Sequence, residues 1–150
     1  MKHLLHKTER GYTFVEMMAV LLILTITTGL VSYKTADVYH EIQLESFFSV
    51  FEEDFLYAKQ YAITENARMT LYLNAKDSVY FIFRDGDSLP LMKRTYDSGI
   101  TMDSGLLGPR FVILANGNNQ KAGKWFVDYR GVRYQIVFSL GQGRMYVKKL

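Results

Sequence analysis

The 150-residue chain has no cysteine. That excludes a disulfide framework, a Cys-ligated zinc or iron–sulfur site, and a thiol nucleophile. Histidine is almost as scarce: His3, His6 and His40 all fall in the first 40 residues. The usual metal and triad chemistries are therefore nearly closed to the rest of the chain. The only prolines are Pro90 and Pro109, so nothing before residue 90 interrupts a long helix by ring closure. Neither sign of charge dominates, and a net charge of +3 argues nothing alone. What remains is 49% hydrophobic and 22% charged, ordinary globular values, in a length that suits one domain with an appendage.

The apolar residues are concentrated near the N-terminus. Residues 1–11 carry Lys2, Lys7 and Arg10 against Glu9. The run from Tyr12 to Tyr33 then holds a single charge, Glu16. As a helix it would reach roughly 33 Å, enough for a hydrocarbon core of about 30 Å. The basic leader predicts a cytoplasmic N-terminus and a body outside. A secretory signal would have a shorter apolar region and an A-x-A-like site, and residues 27–33 offer none. Glu16 is the odd residue, because a carboxylate inside an apolar span costs about 2.5–3.5 kcal/mol and needs a partner or a purpose.

Gly11-Tyr12-Thr13-Phe14-Val15-Glu16, with the basic leader before it and the apolar helix after it, resembles the processing signal of type IV prepilins and pseudopilins. The resemblance implies cleavage after Gly11 by a membrane aspartyl peptidase. It also implies N-methylation of Tyr12, where the family usually has Phe, and an assembly role for Glu16.

The helical pattern continues past the membrane run. Leu44, Phe48, Phe51, Phe55, Ala58 and Ala62 recur at spacings of three and four, an amphipathic stripe best read as core packing. Residues 34–68 hold seven acids against three bases. One helix is expected from about Tyr12 to about Asn66, with residues 12–33 in lipid and 34–68 continuing into the body. Beyond it the pattern turns to short strands: Met69–Ala75, Ser78–Arg84, Arg110–Ala115, Lys124–Tyr129, Arg133–Ser139 and Arg144–Lys149. Residues 85–109 are turn-rich and read as an irregular connection. A long N-terminal helix packed on a small antiparallel β-sheet domain, residues 69–150, is an α+β fold.

Two stretches of the body extend the resemblance. Leu56-Tyr57-Ala58-Lys59-Gln60-Tyr61-Ala62-Ile63, running into Arg68-Met69-Thr70-Leu71, is similar to the helix end and first strand of the GspH/FimT group of minor pseudopilins. Phe138-Ser139-Leu140-Gly141-Gln142-Gly143-Arg144 resembles the closing hairpin of competence pseudopilins of the ComGD kind. The implied role is assembly, not catalysis: a minor subunit of a competence pilus or pseudopilus that supports DNA uptake. The implied partners are other pilin-like subunits, the prepilin peptidase and the membrane, with the cell surface as destination after assembly. A type II secretion pseudopilin, a type IV pilus minor pilin and a membrane-anchored DNA receptor are the alternatives.

No catalytic constellation, metal site or cofactor is expected. Asp85-Gly86-Asp87 lacks the further oxygen ligands of a calcium loop and reads as a turn. Gly141-Gln142-Gly143 precedes a strand and reads as a hairpin. Residues 104–150 carry eight bases against Asp128, interleaved with aromatic residues. Arg130, Arg133, Arg144, Lys148 and Lys149 are thus the candidate DNA contacts. Plain alternation of core rings and solvated cations explains the same pattern.

Overall fold

The computed structural model describes residues 13–141 and 143–150, with side chains for all of these except residues 30–39. The leader, Gly11 and Tyr12 lie outside the described residues. Helix α1 runs over Phe14–Thr64. The chain divides into two compact units, one ending at Ile42 and one from Gln43 to Leu150.

In the first unit α1 starts at a cap. The Thr13 hydroxyl accepts a hydrogen bond from the Glu16 amide at 3.3 Å, and the Thr13 carbonyl accepts from the Met17 amide at 3.2 Å. Thr13-x-x-Glu16 therefore has the spacing of a capping box, with Thr at the cap and Glu three residues on. The apolar side chains that follow are exposed all round the helix, from Phe14 to Ile26. Thr25, Thr27 and Thr28 donate their hydroxyl protons to carbonyls one turn back, at 2.7–3.0 Å. Such back-bonding satisfies a hydroxyl without water. Among the described residues no helix is long and apolar enough to cross a membrane.

In the second unit the stripe on α1 is buried as its spacing demands: Leu44, Phe51, Phe55, Ala58 and Ala62 lie in the core, with Phe48 half-buried against them. The helix ends in a Schellman closure. Asn66 takes φ 47°, the Ala67 amide donates to the Ala62 carbonyl at 3.1 Å, and the Asn66 amide donates to the Ile63 carbonyl at 3.4 Å.

Eight strands follow: β1 Met69–Asn74, β2 Val79–Arg84, β3 Met92–Thr95, β4 Ile100–Asp103, β5 Arg110–Ile113, β6 Gly123–Tyr129, β7 Val132–Phe138 and β8 Met145–Lys149. They form not one sheet but two antiparallel four-stranded sheets, in the orders β3-β2-β1-β5 and β4-β6-β7-β8. The expected irregular connection over 85–109 contains β3 and β4, each an edge strand of four residues. Edge strands pair on one side only, so they tolerate short, polar sequences such as Met-Lys-Arg-Thr that carry little strand signal.

The α1 stripe packs into the rings of both sheets. Phe51 meets Tyr80 at 5.1 Å and Trp125 at 6.2 Å, and Phe55 meets Phe111 at 6.2 Å and Phe138 at 5.7 Å between centroids. Phe111 of the first sheet stacks on Phe138 of the second at 4.2 Å. Asn119 ties the loop after β5 to the β7–β8 connection, its amide donating to the Ser139 and Arg144 carbonyls at 2.8 and 3.3 Å. Gly143, at φ 52°, has no room for a side chain: a Cβ there would run into the Gly117 carbonyl oxygen.

Candidate assembly and binding surfaces

Of the expected processing and assembly residues, only Glu16 falls among the described ones. It sits in the first turn of α1, in the capping position described above, and is exposed. A carboxylate there faces the positive end of the helix dipole. Gly11 and Tyr12 lie outside the described residues.

The five basic residues proposed for DNA do not gather in one place. Arg130 and Gly131 form the two-residue turn of the β6–β7 hairpin, with φ of 50° and 79°, as a type I′ turn requires. Arg133, Lys148 and Lys149 lie near that end of the second sheet, since Tyr134 faces Lys149 and Gln135 faces Lys148 across β7–β8. Arg144 precedes β8 at the opposite end. Arg133 is committed to a bidentate pair with Asp128, at 2.7 and 2.8 Å. The pair holds the Asp128 carboxyl below its usual range and the Arg133 guanidinium above its own. Lys149 lies 6.0 Å from the Tyr134 ring centroid.

The strongest polar constellation is one the sequence reading passed over. Asp54 is buried on the core face of α1. It accepts from the Tyr80 hydroxyl at 2.7 Å and from the Arg94 guanidinium at 2.9 and 3.1 Å. Burial, then the hydrogen bond to Asp54, pushes the Tyr80 hydroxyl far up. The same carboxylate raises Arg94. Arg94 belongs to edge strand β3, so the group ties the least apolar strand of the first sheet to α1. A signal for it existed: Asp54 lies three residues after Phe51 and four before Ala58, on the apolar stripe. Asp54 is satisfied by the Tyr80 hydroxyl and the Arg94 guanidinium together, so the role of the group is to hold the fold.

Residues 6–32 match the prokaryotic N-terminal methylation motif. The match covers the segment that also carries Gly11, Tyr12, Thr13 and Glu16. Structurally the chain is similar to the type IV minor pilin FimU of Pseudomonas aeruginosa, with a TM-score of 0.60 and 14% identity over 72% of this chain and 90% of that one. A second crystal form of FimU gives 0.57 and 16%, over 69% and 91%. The minor pseudopilin EpsH from the type 2 secretion system of Vibrio cholerae gives 0.53 and 14%, over 73% and 96%. No curated protein sequence matches the chain. At these identities the likeness is one of fold: a long N-terminal helix packed on antiparallel sheet, as in FimU and EpsH.

Proposed function

We propose that the protein is a minor pilin or pseudopilin, made as a precursor, cut between Gly11 and Tyr12, methylated at Tyr12, and assembled with other pilin-like subunits. The observation that carries this reading is the methylation motif over residues 6–32 at the head of a helix that continues into a pilin-like body. In the membrane precursor the leader stays in the cytoplasm and the body lies outside; after assembly the body is at the cell surface.

Glu16 is the assembly residue in this reading. Cleavage turns the Tyr12 nitrogen from a neutral amide into an α-amine, largely protonated at neutral pH. In sequence that cation comes two residues before Phe14, the first residue of α1, and a helix dipole disfavours a cation at its start. Glu16 of an incoming subunit meeting the Tyr12 amine of a neighbour neutralises both and sets the axial register. In the precursor no such cation exists, so assembly waits on cleavage.

The system served is a competence pilus that supports DNA uptake, a reading supported by the resemblance of the 138–144 hairpin. A type II secretion pseudopilus or a type IV pilus is the second reading, favoured by the fold likeness to EpsH and FimU. The test is Glu16→Gln, which keeps the shape and removes the charge. Mass spectrometry should find a chain that starts at Tyr12 and is methylated, with crosslinks to partner subunits lost. A variant that is cut and crosslinks like the wild type would overturn the charge-pair account. A mature start near residue 30 would overturn the processing account.

A further inference from the structure

The outward face of the first sheet carries rings and cations that the chain's own core does not use. Leu71, Leu73, Ile82, Phe111 and Ile113 point into the core, so alternation turns Thr70, Tyr72, Phe81, Phe83, Arg110 and Val112 outward. Across the strands one row reads Lys93, Phe81, Tyr72, Arg110, and the next has Phe83, Thr70, Val112. Rings thus lie between two edge cations. Lys93 Nζ stands 5.9 Å from the Phe81 centroid, Phe81 and Phe83 are 5.9 Å apart, and Tyr72 is 42% exposed.

Thr70 is the small residue among these larger ones and marks a depression of about 450 Å³ with Tyr72, Phe83 and Arg110 among its walls. Thr70 is 8% exposed, and its hydroxyl is buried with no hydrogen-bond partner among the described residues. Asp85 and Asp87 at the rim can accept from amino groups. A second depression of about 360 Å³ adjoins the first through Asp85 and Arg110, and Arg68 and Lys121 line it. Arg110 and Asp85 are 3.9 Å apart and both largely exposed, so the guanidinium keeps donors to offer. One depression is therefore aromatic, the other cationic, and Arg110 belongs to both.

We propose that this face binds single-stranded DNA, with a base against Tyr72 and Phe83 in the space above Thr70 and the adjoining phosphate at Arg110, Arg68 and Lys121. Partly exposed rings interleaved with cations, with Tyr72 the most open, fit a polyanion that carries flat rings. The inference rests on the DNA-handling part of the function proposed above, and moves the contact from the basic end of the second sheet to the outer face of the first.

The test uses the full chain in detergent micelles and a labelled oligothymidylate of about 12 nucleotides, within the site sizes of single-strand grooves. Binding at low salt is expected. Tyr72→Ala should weaken it about tenfold, while Tyr72→Phe keeps it. Arg110→Ala should reduce the dependence of log affinity on log salt by about 0.7. Lys148→Ala and Lys149→Ala should leave it nearly unchanged. Equal melting temperatures for these surface variants would separate contact from folding. No binding at low salt overturns the proposal. So does binding lost with Lys148 and Lys149 but not with Tyr72, or equal affinity for inorganic polyphosphate, which has charge without rings. Loss of subunit crosslinks in Tyr72→Ala with unaltered DNA binding would make the face a protein interface instead. The outcome is independent of Glu16→Gln, so failure of this site and failure of the assembly reading are distinguishable.

Discussion

Helix α1 is apolar in two different ways. From Phe14 to Ile26, ten large apolar side chains are between 51% and 79% exposed, on every side of the helix. From Phe51 to Ala62, Phe51, Phe55, Ala58 and Ala62 are at most 1% exposed, on one side, while Glu52 and Glu53 face water. The second pattern is satisfied by the chain's own sheets. The first is a surface for something else, which the methylation motif and the proposed membrane and filament partners supply. Apolar content alone does not separate these cases; the period does, because a one-sided stripe needs one wall and an all-round surface needs a solvent or a bundle.

The largest expected break in this comparison is Phe55→Ala. The ring contacts Phe111 and Phe138, one from each sheet, so its loss opens a cavity where both meet. The cost should be about 3–5 kcal/mol, read as a fall in chemical-denaturation midpoint of the body. Leu24→Ala in the exposed half should leave that midpoint within about 0.5 kcal/mol, while reducing retention in membranes. Equal effects from the two would erase the distinction.

Asp54→Ala should come next. It removes the acceptor of Tyr80 and Arg94. Arg94 is half exposed and can turn to water, so a loss of about 1–3 kcal/mol is expected, less than for a fully buried pair. Hydrogen exchange should quicken first in β3, the strand that the pair tethers.

Thr13→Ala removes the cap of α1 and should cost about 1 kcal/mol of local helix stability. Faster exchange of the Glu16 amide would show it, with the body's melting unchanged. If the amide exchanges as before, Thr13 is not the cap.

The smallest effect at neutral pH belongs to Tyr96. Burial pushes its hydroxyl from 10.0 to about 12, and the oxygen is buried with no partner among the described residues. A raised folded value means that the unfolded chain releases its proton first. The contribution is therefore complete below about pH 10 and is lost as pH climbs from there towards 12. Tyr96→Phe should be nearly neutral at pH 7 and should flatten the alkaline fall in stability above pH 10. An unchanged alkaline slope would mean that Tyr96 is accessible to water.

Much of this was legible in residue order because the forces concerned are local. The 3.6-residue stripe places the buried face of α1, Asn66 marks its end by its tolerance of the left-handed region, and Arg130-Gly131 marks a tight hairpin. The methylation motif is a contiguous string and needs no fold to be read. Tertiary structure alone decided the rest. The division of eight strands into two sheets depends on pairings such as β1 with β5 and β4 with β6, across tens of residues, which no local period encodes. The edge strands β3 and β4 exist because a neighbour supplies their hydrogen bonds, not because their own residues demand it. Asp54 of α1 is stable in the core only because Tyr80 and Arg94 arrive from two strands, β2 and β3. Likewise Thr70, Tyr72, Phe83 and Arg110 become one surface only when β1, β2 and β5 pair in register, since side chains scattered along a chain are made neighbours by the sheet.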